Sequence, residues 1–230
     1  MQGFLRSRMH IGAGAVLIIV IILLLQNSLS DSISVGKLAA LSAGISYDEE
    51  LSSRIWNIAK LVVFFPVIVF WVLDQRKLLG ASILMSCVLL TLELLSSTLQ
   101  LVLTLGVDTA AQAYLLIKDT MLVMIINVLI FSLWYWIIDS PRLRHGTSRE
   151  SEPWDFLFPQ RAGSIPRYDA WMPSYADYLF LAFTTTFAFG PTDTLPLSQR
   201  SKILMLLQAA ISVTTIVVLA GRALSLPNLD

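Results

Sequence analysis

Six stretches of the chain carry too many consecutive apolar residues for a water-exposed helix, and short polar or charged segments separate them. They fall at about 9–26, 55–73, 78–105, 112–138, 174–190 and 200–222. A helix needs about 20 largely apolar residues to cross the hydrocarbon core, whereas 10–14 more often mark a re-entrant or buried segment. Five stretches meet the first condition. The apolar part of the remaining one, Tyr178 to Gly190, matches the second. The pattern predicts an all-α fold: a polytopic helical membrane bundle with five or six spans, with a short helix, spanning or re-entrant, before the last span. The whole chain, 1–230, reads as a single membrane domain with a surface segment at 140–173 and a distinct C-terminal module at 174–222.

The polar positions within and between the runs refine this picture. Arg6 and Arg8 precede the apolar run Ile11–Leu25, and small residues follow at Ser28 and Ser30. That order fits a secretory signal, but the length of the run and the spans beyond it favour a retained first helix. Residues 27–54 read as a solvated loop, with Asp48, Glu49 and Glu50 in it and a weak helical signal at Lys37–Leu41. In the second span Lys60 is placed to snorkel towards headgroups, and Pro66 interrupts one backbone hydrogen bond. Glu93 falls near the middle of the third span, where an acidic side chain costs about 2.5–3.5 kcal/mol on insertion scales. It is read either as an ion or proton site, or as a protonated group bonded to Asn127 or Ser96 that holds helices together. The fourth span carries Asn127 at its centre. It ends in Trp134-Tyr135-Trp136, an interfacial aromatic belt, before Asp139-Ser140-Pro141. Five arginines and the scattered Trp154, Phe156, Phe158 and Trp171 make 140–173 an irregular segment on the membrane surface. Ser174 and Asp177 have the spacing of a helix-opening capping box.

Composition narrows the chemistry. Hydrophobic residues make up 56% of the chain, charged residues 14%, and the mean hydropathy is +0.72, against roughly a quarter charged in soluble domains. Lysine plus arginine equals aspartate plus glutamate, 16 of each, so no basic excess points to nucleic acid. The single Cys87 excludes an intrachain disulfide and thiolate zinc, and two histidines leave little for a metal site. No cofactor is expected. No internal repeat supports a transporter built of symmetric halves. Intramembrane hydrolysis needs a nucleophile with a base, paired aspartates or a bound metal. Glu93 has no such partner at its depth, so no enzyme is expected.

Lysine and arginine set the orientation. With six spans and the N-terminus inside, ten basic residues lie on the cytoplasmic side and five outside; with 174–190 re-entrant, the counts are eleven and four. Either topology puts the N-terminus in the cytoplasm.

Two resemblances follow from the C-terminal half. The segment 174–222 resembles the pore loop and inner helix of tetrameric cation channels, whose filter reads T-V-G-Y-G-D. Thr186-Phe187-Ala188-Phe189-Gly190 falls at the filter, Thr184 and Thr185 extend the pore helix towards it, Pro196 follows, and Arg200 precedes the last helix. Ala188 stands for the first filter glycine, Phe189 for the tyrosine and Pro191 for the acid, with Asp193 two residues later. This resemblance implies a homotetramer conducting monovalent cations. More broadly, three stretches, Leu133–Asp139, Asp155–Gln160 and Asp177–Ser198, are similar to a family of bacterial multi-pass integral membrane proteins with no settled activity. That similarity implies an architecture and a place in the bacterial inner membrane. Two functions stand against each other. One is a pore using Thr184, Thr185, Thr186, Phe187, Ala188, Phe189, Gly190 and Asp193, lined by Gln208, Ser212 and Thr215 on one face of the last helix. The other is a non-catalytic accessory or structural protein that binds membrane helices or lipid.

Overall fold

In the computed structural model, residues 12–29, 49–73, 75–103, 110–139, 154–162, 171–190 and 193–225 are described. The readings for Lys37–Leu41, for Arg142 to Arg149 and for Pro191 lie outside them. The elements are α1 (Gly12–Asn27), α2 (Glu49–Val72), α3 (Arg76–Leu103), α4 (Ala110–Asp139), β1 (Phe156–Leu157), α5 (Pro159–Ala162), α6 (Tyr175–Ala188), β2 (Leu195–Pro196) and α7 (Gln199–Ser225). Among the described residues, three segments, Leu78–Leu103, Ile117–Asp139 and Gln199–Gly221, are long and apolar enough to cross a membrane, as a membrane-embedded protein requires. The apolar parts of α1 and α2, Gly14–Asn27 and Val62–Val72, are shorter.

The bundle is arranged around α4, which touches α1, α3, α6 and α7. α2 lies outermost, against α3 and α1. Side-chain polarity runs opposite to that of a water-soluble bundle. Leu84, Leu92 and Leu99 of α3 and Ile203, Leu206 and Val217 of α7 face outward. Asn127, Ser132, Thr185, Thr186, Gln208 and Ser212 are buried inside. Such an exterior is at home in lipid, where an apolar face costs nothing and polar groups must find partners within the protein.

Two elements depart from the reading of the sequence. α2 begins at Glu49, not near residue 55, so Glu49 and Glu50 open the helix rather than sit in a loop. The surface segment is not wholly irregular. Phe156 and Phe158 are buried, and β1 pairs antiparallel with β2, Phe156 opposite Pro196 and Leu157 opposite Leu195. A two-residue strand has no stability of its own. It persists because Phe156 packs edge-on to Tyr135 at 5.1 Å and Phe158 packs edge-on to Tyr178 at 5.5 Å.

The start of α6 follows the capping signal. The Asp177 carboxylate turns back to accept from the backbone N–H and the hydroxyl of Ser174, each at 2.7 Å. Its other end is unusual. Phe189 caps the helix in the left-handed region, at φ 56°, where glycine is the ordinary occupant. A side chain there costs roughly 1–2 kcal/mol. Phe189→Gly is therefore expected to raise stability by about 1 kcal/mol, or about 2–4 °C in Tm for a chain of this size. Thermal unfolding in detergent checks this, and a lowered Tm would show that the half-exposed Phe189 ring contributes more than the strain costs.

Candidate functional site

Asp139, the last residue of α4, organises one end of the bundle. Its Oδ1 accepts from the backbone N–H of Asp155 at 2.9 Å and of Phe156 at 3.3 Å. Its Oδ2 accepts from the Tyr178 hydroxyl at 2.8 Å. One carboxylate thus fastens both the strand segment and α6 to the central helix. Asp155, itself buried, accepts from Arg200 Nε at 2.7 Å, and its carbonyl accepts from Leu197 N at 2.9 Å. These bonds bring the start of α7 to the same place. Three stretches distant in the sequence, around Asp139, Asp155 and Tyr178, meet here.

A second network lies deeper. Tyr135 donates to Gln208 Oε1. Gln208 Nε2 donates to the Ala182 carbonyl at 2.8 Å and to Thr186 Oγ1 at 2.9 Å. Ser212 Oγ donates to the Gln208 carbonyl at 2.8 Å, and Asn127 Nδ2 donates to Ser212 Oγ at 2.9 Å. The row links α4, α6 and α7 and is buried throughout. Asn127 Oδ1 is its one side-chain atom without a partner. The row holds amides, hydroxyls and a phenol, and no group that accepts a proton readily, so it suits positioning rather than acid–base work.

The residues singled out in the sequence are divided between these surroundings. Thr184, Thr185, Thr186, Phe187 and Ala188 belong to helix α6. Thr184 and Thr185 turn their hydroxyls back onto the Leu181 carbonyl, at 3.0 and 2.7 Å, and Thr186 joins Gln208. Only Phe189 and Gly190 of the proposed filter have left the helix. Phe187 and Phe189 are half exposed, and Asp193 is exposed. Gln208, Ser212 and Thr215 share one buried face of α7, and Thr215 bonds back to the Ile211 carbonyl at 2.7 Å.

Glu93 is paired across helices. Lys60 Nζ lies 2.7 Å from Glu93 Oε1, with both side chains largely buried. Of the two partners expected for Glu93, Asn127 donates to Ser212 and Ser96 accepts from Gln100. Lys60 lies just before the apolar part of its helix, Val62–Val72, with its charge paired rather than alone. Because α2 starts at Glu49, Lys60 is the twelfth residue, about 16 Å along the axis. The signal was present in the sequence, since two opposite charges inside neighbouring apolar segments relieve each other's burial. The Tyr135–Gln208 and Tyr178–Asp139 bonds had no comparable signal. Among the described residues, no group of three or more histidine, cysteine, aspartate or glutamate side chains is placed to hold a metal.

Removing one member of a buried ion pair strands the other. Lys60→Met or Glu93→Gln alone is expected to cost about 3–5 kcal/mol, whereas the double variant recovers most of that loss. Unfolding of the four proteins in detergent gives the coupling. Additive losses would mean that the two charges do not depend on each other.

No protein-family model, curated protein or solved structure compared with the chain matches it.

Proposed function

We propose that the protein is a non-catalytic accessory or structural membrane protein that offers an apolar exterior to other membrane helices and lipid. One observation carries this reading: the polar side chains available to line a path are bonded to one another inside a single chain. Thr186, Gln208, Ser212 and Asn127 form one row, with Tyr135 at its side. In apolar surroundings such bonds hold helices together at about 0.6 kcal/mol each, up to about 1.7. The lysine and arginine distribution supports a cytoplasmic N-terminus, with the Asp139 end of α4 on the cytoplasmic side.

A second reading, a channel-like oligomer, rests on a different observation. The chain leaves the Asp139 end at Tyr178, runs along α6 for about 15 Å, and returns beside Asp155 at Leu195–Pro196. That path fits a re-entrant helix, five spans, and the eleven-to-four division of basic residues. In a tetramer it would turn the α6 tip, Phe189 to Asp193, towards a shared axis, with Thr184 to Ala188 acting as pore helix and monovalent cations as cargo.

Flux from liposomes holding the purified protein separates the two readings. On the scaffold reading, K⁺ and Na⁺ efflux stays at the level of protein-free liposomes. Gln208→Ala lowers stability by about 1 kcal/mol and leaves flux unchanged. Selective flux that is lost in Thr186→Ala or Asp193→Ala would replace the scaffold with the pore.

A further inference from the structure

Where α3, α4 and α7 pack together, the buried side chains hold more hydrogen-bond acceptors than donors. Asn127 is 1% exposed, and its Oδ1 has no donor in the protein, while its Nδ2 donates to Ser212 Oγ at 2.9 Å. The Ser212 hydroxyl in turn donates to the Gln208 carbonyl at 2.8 Å. Thr98 and Thr215, both buried, donate to carbonyls of their own helices, Leu94 at 2.9 Å and Ile211 at 2.7 Å. A hydroxyl has one proton and two lone pairs. Each of these three has spent its proton, and its oxygen can only accept.

Helix register brings Thr98 to the level of Asn127. α3 and α4, consecutive and in contact, run antiparallel and are pinned by Trp134 Nε1, which donates to Thr91 Oγ1 at 2.8 Å. Asn127 lies two turns before Trp134, and Thr98 lies two turns after Thr91, each on the face of its helix that makes this bond. The two side chains therefore fall within about one turn of each other. α3 also packs against α7, which carries Ser212. No direct bond joins Thr98 to Asn127, whose amide nitrogen goes to Ser212 and whose oxygen is without a partner.

What completes such a pair of acceptors must bring donors or positive charge. A charge at this depth is normally balanced by one of opposite sign, and the one carboxylate of α3, Glu93, is engaged with Lys60. A water molecule brings two O–H donors and no charge, and buried water ordinarily binds polar groups left otherwise unsatisfied. We infer that a buried water lies between α3 and α4, donating to Asn127 Oδ1 and to Thr98 Oγ1. It extends the Gln208–Ser212–Asn127 row to α3. It goes beyond the scaffold and pore readings, neither of which gives Thr98 a part, and it stands or falls separately from them.

The test joins a structure of the full chain, at a resolution that shows ordered water, with a double-mutant cycle. Density is expected within hydrogen-bond reach of both Asn127 Oδ1 and Thr98 Oγ1, and its absence overturns the site. In detergent unfolding, Thr98→Val and Asn127→Val should each weaken the fold. Their effects should be coupled by about threefold in the unfolding constant, the average for one hydrogen bond between membrane helices. Thr98→Ser, which restores the hydroxyl, should recover the loss. Thr214→Val, whose hydroxyl donates to the Ala210 carbonyl on the exposed side of α7, should add to Asn127→Val without coupling. Additive effects of Thr98→Val and Asn127→Val would remove the bridge. Should Asn127→Val not fold, the density and the contrast of Thr98→Val with Thr98→Ser decide. Replacing sodium and potassium by choline is expected to leave Tm unchanged. A fall in wild type that Thr98→Val does not show would assign a cation and overturn the water.

Discussion

Asp139 makes the C-terminal half of this protein a single body. A carboxylate has two oxygens and about four acceptor positions, and here three are filled by groups from two other parts of the chain. The two amides it accepts from are those that set the direction of β1, and the hydroxyl belongs to α6. Neighbouring Asp155 then reaches Arg200, so α7 joins the same end without touching Asp139 itself. Charge-assisted bonds to a buried carboxylate are roughly twice as strong as neutral ones. Losing any one of them leaves the others holding a buried charge with fewer partners. Interdependence of that kind fixes geometry more firmly than the same number of scattered contacts.

The deeper row acts by number and direction rather than by strength. Neutral hydrogen bonds between membrane helices average about 0.6 kcal/mol, so Gln208 with its neighbours cannot rival the apolar packing of α4. What the row decides is register. Gln208 reaches the Ala182 carbonyl and Thr186 on one helix and Tyr135 on another, and shifting α7 by one residue would misplace all three. The Lys60–Glu93 pair has the same role for α2, whose apolar part is short and whose main contacts are with α3 and α1. Breaking the pair is costly, while the pair itself adds little net stability. It is therefore better understood as a device that orients α2 than as a source of binding energy.

The helices were legible because their signal is local. Continuous apolar runs announce a helix wherever they fall, and Ser174 with Asp177 marked the start of α6 to within a residue. The strand was not, although the alternation of Trp154, Phe156 and Phe158 has the period of two that strands show. Its partner, Leu195–Pro196, lies 39 residues further on, and no local pattern announces that pairing. The start of α2 was missed for a related reason: Glu49-Glu50-Leu-Ser-Ser-Arg54 is polar enough to pass for loop. The stripe Gln208, Ser212 and Thr215 was visible from spacing alone. Its neighbours were not, because spacing gives the face of a helix and says nothing of what faces it.

The threonines before Gly190 show how one sequence serves two descriptions. In a filter, threonine and glycine matter because they free carbonyl oxygens to face an ion. In α6, Thr185 and Thr186 matter because short hydroxyl side chains let α6 lie close to α4 and α7 while Thr185 donates to the Leu181 carbonyl and Thr186 accepts from Gln208 Nε2. Both uses select small polar residues in a row, so the row cannot separate them. Backbone conformation can. Thr184 to Ala188 have helical backbone, and the break comes at Phe189, the one described non-glycine residue with positive φ. A strained residue persists where its surroundings hold it, and here the chain must turn back at the end of α6 to bring Leu195 onto Leu157. The strain at Phe189 is accounted for by that return, with the pairing of β1 and β2 and the Asp155–Arg200 bond holding the far side of the turn.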